Sequence, residues 1–180
     1  MAPPVTHRTL DRVLVRSRVG DPSKGLLVAG GLAIPCALGR GGVARRKREG
    51  DGATPAATLR PVALMARRDR LHPPATGLPA SAILPTQGWC DDPRHPLYNR
   101  KVRLPFRASH ETMWREDGLY DLVVELDWNR GPAVKGRGSA IFMHVARPGF
   151  APTEGCIALA PAALRRLLPM LTPRTRFVVR

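Results

Sequence analysis

Two side chains with complementary chemistry stand twelve positions apart in the last quarter of the chain. His144 lies near the end of the β-rich run Ser139–Val145, and Cys156 follows in Thr153-Glu154-Gly155-Cys156-Ile157. Acyl transfer by cysteine requires a thiolate, and a nearby imidazole can take the thiol proton and later return it. Gly155, directly before the cysteine, lets the backbone turn tightly and bring amide N–H groups close to a bound carbonyl, as an oxyanion hole needs. A strand-end histidine and a buried cysteine would account for the same residues without any chemistry. Spacing alone leaves both readings open.

Three other constellations are weaker. Gly88-Trp89-Cys90-Asp91-Asp92 with His95 offers a thiol, carboxylates and an imidazole, but no second Cys/His pair completes a zinc set. A turn anchored by aspartates, packing Trp89 over a groove, explains those residues better. His110-Glu111 lacks the second histidine of a helical zinc motif, because Trp114 stands there. Gly39-Arg40-Gly41-Gly42 has neither the Walker spacing nor the dinucleotide fingerprint and reads as a hairpin turn. No metal or organic cofactor is called for.

The elements that would position these groups are mostly strands. Apolar or β-rich runs recur at Arg12–Arg16, Leu26–Ala29, Leu32–Leu38, Leu59–Ala66, Leu119–Leu126, Ser139–Val145 and Arg176–Val179, separated by Gly, Pro and Asp groups. Gly30-Gly31 between two of them is a hairpin signal. Ala162–Leu168 predicts a helix, with Pro161 at its first turn and Pro169 near its stop. Ser109 predicts a second short helix through Trp114. The Pro-rich stretch from about Leu71 to Arg103 reads as a long irregular excursion. The expected fold class is mostly β: a single β-sandwich-like domain over residues 12–180 with one or two short helices, after an N-terminal extension at residues 1–11.

Composition agrees with a globular chain of 180 residues, 43% hydrophobic and 24% charged, and the three cysteines are too few for a disulfide scaffold. No apolar run is long enough for a transmembrane helix, and residues 1–20 show no signal-peptide core. Lys and Arg total 29 against 14 Asp and Glu, a formal charge of +15. Such an excess draws polyanions, whether nucleic acid, an anionic wall polymer or acidic peptides. The densest run, Arg45-Arg46-Lys47-Arg48, carries no nucleic-acid motif, so nucleic acid is not the expected partner.

His144, Thr153, Gly155, Cys156 and Ile157 together resemble the signature of the L,D-transpeptidase catalytic domain (YkuD-like) family. That family carries a strand-end His, a variable loop, then Ser/Thr-His-Gly-Cys and an aliphatic residue. Lys47–Pro55 is similar to the family's Asp…Thr-Pro segment. Gly88–Asp92 with Tyr98-Asn99, and Gly138–Phe142, resemble a short bacterial branch. Two positions depart: Glu154 replaces the second histidine, and Ala158 replaces the Arg or Asn usual two residues after the cysteine.

The resemblance implies a bacterial cell-envelope enzyme acting on peptidoglycan stem peptides, although no export signal is visible. Cys156 would be the nucleophile, His144 the base and proton donor with its ring oriented by the Val145 carbonyl, and the Gly155 and Cys156 amides the oxyanion donors. Thr153, Glu154, Trp89 and Arg147 are the candidate substrate contacts, with Arg165 or Arg166 as further sources of positive charge. Glu154 is expected to point away from Cys156, toward loop amides or a substrate amine. Crosslinking is the leading reaction. Trimming by hydrolysis, a non-catalytic wall-binding module and a basic nucleic-acid-binding domain are the alternatives. The sequence carries no signal for oligomeric state.

Overall fold

The computed structural model describes residues 8–180; residues 1–7 of the expected N-terminal extension lie outside the described residues. Among the described residues, fifteen strands and one α-helix follow in chain order. They are β1 (Arg12–Arg18), β2 (Asp21–Ala29), β3 (Leu32–Ala37), β4 (Val43–Ala44), β5 (Thr54–Pro55), β6 (Thr58–Leu59), β7 (Pro61–Ala66) and β8 (Ala80–Ala82). The series continues with β9 (Gln87–Cys90), β10 (Arg100–Arg103), β11 (His110–Thr112), β12 (Leu122–Leu126), β13 (Phe142–Val145), β14 (Ile157–Leu159), α1 (Pro161–Leu167) and β15 (Arg176–Val179). The protein is mostly β, as its turn-punctuated apolar runs predict.

Ten strands form one sheet in the order β6-β15-β1-β2-β3-β14-β13-β12-β7-β8. A single residue, Arg60, separates β6 at one edge from β7 near the other. The sheet therefore curls until its two ends meet. One large cluster fills the inside, drawing Val13 and Val15, Leu27, Leu64, Leu122 and Val124, Met143, Ile157 and Phe177 from strands all round it. Leu164 and Leu167 of α1 join it. Period-two alternation sorts the residues: Met143 faces this interior, while its neighbour Phe142 belongs to a second cluster on the opposite face.

The Gly30-Gly31 hairpin forms as expected, with φ of +54° and +82°, the positive values that a two-residue primed turn requires. Three expectations are corrected. The segment 109–114 contains the strand β11 rather than a helix; His110–Thr112 pairs with Gly88–Cys90, and this ladder outweighs the local Ser109 cap signal. The stretch 71–103 is not wholly irregular, because it supplies β8, β9 and β10, and β10-β9-β11 form a separate three-stranded sheet. Gly39–Gly42 is a turn, closed by the Gly42 N–H donating to the Gly39 carbonyl at 2.8 Å, but not a hairpin turn, because β3 and β4 belong to different sheets; Gly39 bridges Thr153 in parallel, and a Cβ there would fall 2.2 Å from the Gly52 carbonyl oxygen. Just ahead of β1, Leu10 is buried in the core, and its N–H donates to the Met170 carbonyl at 2.9 Å.

Candidate active site

β13 and β14 run parallel, with His144 opposite Ala158. Paired residues point to the same face, and Cys156 lies two positions before Ala158, so His144 and Cys156 share one face of the sheet. Both are 7% exposed and both line a cavity of about 510 Å³, a size suited to a small ligand. The small Ala158 side chain beside His144 also lines it.

His144 Nδ1 lies 2.8 Å from the Val145 carbonyl oxygen. That contact assigns the proton to Nδ1 and leaves Nε2 as the acceptor. The Tyr120 ring stands edge-on to the imidazole with centroids 5.2 Å apart. Burial pushes the imidazole pKa down to about 4, and Arg115 and Arg147 add to the depression. His144 is therefore neutral at ordinary pH. Burial, helped by the Glu111 carboxylate, pushes the Cys156 thiol up to about 12. The thiol donates to the Ala140 carbonyl at 3.3 Å, and Phe142 N–H donates to Sγ at 3.4 Å. The pair is thus a neutral thiol and a neutral imidazole, not a preformed ion pair.

The cysteine peptide is held by hydroxyls. Thr153 Oγ1 donates to the Cys156 carbonyl at 2.7 Å, and Thr54 Oγ1 approaches the same oxygen at 3.5 Å. Gly155 has φ of +125°, and a Cβ there would lie 2.8 Å from the Ala53 carbonyl oxygen, so a side chain is excluded twice over. Its N–H donates to Thr153 Oγ1 at 3.2 Å. Of the two amides expected to face an oxyanion, this one is already engaged. The segment 47–55 is tied down by Asp51, which accepts from Lys47 Nζ at 2.5 Å, Arg48 N–H at 2.7 Å and Ala53 N–H at 2.9 Å.

Ala140 holds φ of +51°, uncommon for a residue with a side chain, and its N–H donates to Asn99 Oδ1 at 3.0 Å. Asn99 also accepts from Trp89 Nε1 at 3.0 Å and donates to the Trp128 and Asn129 carbonyls. The left-handed turn at Ala140 aims its carbonyl at Cys156.

The structure brings His144, Arg147, Thr153, Glu154 and Cys156 to one cavity. Trp89 is not part of its lining: it is buried behind the site, packed edge-on against Phe142 with centroids 5.0 Å apart. Glu154 forms an exposed ion pair with Arg40 at 2.8 Å. The side chain meets a guanidinium, where loop amides or a substrate amine were expected, because the bridge between Gly39 and Thr153 delivers Arg40. Arg165 lies on α1 and donates to the His72 carbonyl; neither it nor Arg166 reaches the cavity.

Sequence reasoning weighed Glu111 only for a zinc motif and missed Glu49, Arg115 and Tyr120; all four line the cavity. Tyr120 OH donates to the Glu111 carboxylate, whose pKa is raised by burial. Arg115 is held by Asp117 in two contacts, at 3.0 and 2.5 Å. Glu49 accepts from Ser139 Oγ at 2.8 Å and from Tyr98 OH. Glu111 comes from the three-residue strand β11 and the others from irregular segments, where no local pattern marks them.

No curated protein matches the sequence. Among solved structures, the crystal structure of Mycobacterium tuberculosis L,D-transpeptidase 1 aligns with 12% identity and a TM-score of 0.39, covering 93% of this chain and 61% of that one. The chain thus spans less than two thirds of that protein's length. The family model for the L,D-transpeptidase catalytic domain (YkuD) matches residues 23–179, nearly the whole described chain. By that match, and with a mostly-β fold that accords with it, the chain belongs to the L,D-transpeptidase catalytic domain family.

Proposed function

We propose that the protein is a cysteine-dependent L,D-transpeptidase that acylates on peptidoglycan stem peptides in the cell envelope, with residues 12–180 as one catalytic domain. The observation that carries this reading is the placement of a thiol and a neutral imidazole on one sheet face and in one cavity, with the ring's free nitrogen fixed as the acceptor.

Cys156 Sγ turns from the Ala140 carbonyl, and His144 Nε2 takes its proton. The sulfur attacks the carbonyl carbon between the L-centre of a diamino acid and D-alanine, forming a C–S bond. The Cys156 amide stabilises the oxyanion, while Thr153 holds that peptide in place. The C–N bond then breaks, and His144 returns the proton to the leaving amine. An acceptor amine attacks the thioester and gives its proton to His144. The C–S bond breaks, the thiolate is reprotonated, and the product is a crosslink. With water as acceptor the same intermediate gives trimming.

A depressed imidazole beside a raised thiol favours proton transfer during attack over a standing ion pair. The Arg147 guanidinium has no hydrogen bond or ion pair among the described residues, and the residue lines the cavity. It takes the substrate carboxylate in the place left by Ala158. Mass spectrometry after mixing with a tetrapeptide stem tests the reading. An acyl adduct on Cys156, with release of D-alanine, is expected from the parent, Cys36→Ala and Cys90→Ala, and not from Cys156→Ala. Absence of any adduct in the parent favours the non-catalytic wall-binding module.

A further inference from the structure

The outer face of β15-β1-β2-β3 carries a second feature remote from the chemistry. The inward residues of these strands, including Val13, Val15, Leu27, Ala29, Ile34 and Phe177, fill the core, so alternation turns the others outward. Register aligns Val178, Leu14, Val28 and Ala33 in one row across the four strands, with Leu26 and Pro35 beside it. This apolar strip borders a groove of about 650 Å³ that also takes in Gly149 and Phe150. Cations flank it: Arg12 and Arg176 sit opposite each other at one end, and Arg16, Arg18 and Lys24 stand at the other. Among the described residues of these four strands the only carboxylate is Asp21.

The tip of the β1–β2 hairpin extends the pattern. Val19 is 99% exposed, between Arg18 and Gly20, and Leu26 and Val28 are 43% and 38% exposed. An apolar tip and strip rimmed by cations matches one chemistry, an anionic lipid surface. Acyl chains and glycerol backbones meet the apolar side chains, and headgroup phosphates meet the guanidinium and ammonium groups. A nucleic acid would use the cations but not the apolar row, and the exposed large hydrophobics among the described residues include no aromatic ring to stack on bases. We propose that this face docks the protein peripherally on an anionic phospholipid bilayer, with Val19 at the deepest point.

The loop 147–152 lies between the two features. Gly149 and Phe150 border the groove, while Arg147, Ala151 and Pro152 line the cavity holding Cys156. Docking therefore sets the height of the cavity above the bilayer. It is read by binding alone, so its failure is separate from failure of the catalytic reading.

The test is sedimentation of the full chain with vesicles of phosphatidylcholine mixed with phosphatidylglycerol, and with phosphatidylcholine alone. Binding is expected to the anionic vesicles and not to the neutral ones. Each basic residue near such a surface contributes about five-fold, so Arg16→Ser with Arg18→Ser should weaken partitioning roughly 30-fold. Val19→Ser with Leu26→Ser should weaken it most at raised salt, where the cations are screened. Arg45→Ser, Arg46→Ser and Arg48→Ser together should leave it within about two-fold. All these side chains are exposed, and unchanged thermal melts certify the folds. The proposal is overturned if the parent ignores anionic vesicles, or if the 45–48 variant abolishes binding while the hairpin variants do not. It also fails if light scattering shows a dimer that Val19→Ser with Leu26→Ser dissolves, since a second copy then covers the face.

Discussion

The two sides of β12–β14 bury comparable side chains for different ends. On the inner side, Leu122, Val124, Met143, Ile157 and Leu159 join an apolar cluster that runs through the whole curled sheet. On the other, Val123, Phe142 and Cys156 pack with Trp89, Met113 and Tyr120, and this smaller cluster is edged by His144 and Glu111. The cysteines make the contrast concrete. Burial pushes both Cys36, in the inner cluster, and Cys156 up to about 12. Only Cys156 faces a cavity that also holds an imidazole. A raised thiol pKa therefore reports burial, whereas the neighbours able to move a proton report capacity for chemistry.

The largest expected effect tests whether the inner side is purely structural. Phe177 is fully buried there, and Phe177→Ala should cost about 3–5 kcal/mol in urea unfolding. The pH profile of Cys156 alkylation in the still-folded variant should match the parent. A shifted profile would show that the two sides are not separable.

Next in size is a pH effect that belongs to the outer side alone. The folded pKa of His144 lies near 4 against an ordinary 6.5, so the folded state binds fewer protons than the unfolded state between those values. The stabilisation linked to neutral His144 is complete above about pH 6.5 and is lost as pH falls toward about 4, amounting to about 3 kcal/mol. The parent should lose that much more than His144→Gln across this window. Equal losses would mean that the imidazole is not held neutral by its surroundings.

A smaller effect sharpens the view of how the outer side is held. Asn99→Ala leaves the Ala140 N–H and the Trp89 indole N–H without their acceptor, at a cost of about 1–3 kcal/mol. Because Ala140 aims its carbonyl at Sγ, the alkylation rate of Cys156 should change as well. A stability loss with an unchanged rate would reduce Asn99 to a scaffold role. The smallest effect concerns the rim. Glu154 and Arg40 are both mostly exposed, and Glu154→Gln should cost less than about 1 kcal/mol in denaturation. A large rise in thiol reactivity in that variant would contradict the exposed pairing.

Legibility in the sequence followed the same division. The strand Arg176–Val179 was readable because Phe177 and Val179 alternate with outward residues, and Gly30-Gly31 marked its hairpin without help from elsewhere. His144 and Cys156 were readable because their spacing and flanking residues form a local motif. The three-stranded sheet was not: β9, β10 and β11 are short, and their pairing joins Cys90 to Arg100 and His110 across Pro-rich loops. Ser109 imitated a helix cap because capping is judged over one turn, whereas strand pairing is decided by a partner far along the chain. Glu111 and Tyr120 meet only once β11 is paired, so no local pattern joined them in the sequence.

The parallel pairing of β13 with β14 has an evolutionary consequence. A parallel partner forces the chain to travel back along the strand before it can pair, so residues 146–156 form a detour that no short turn can replace. Its two anchors, His144 opposite Ala158 and Thr153 bridged to Gly39, are set by strand register and not by the sequence between them. Insertions and substitutions at 147–152 can accumulate there while the thiol and imidazole keep their relation. The detour is the part of the chain where a lineage, or a designer grafting loops, can change which molecules are admitted without rebuilding the machinery beneath.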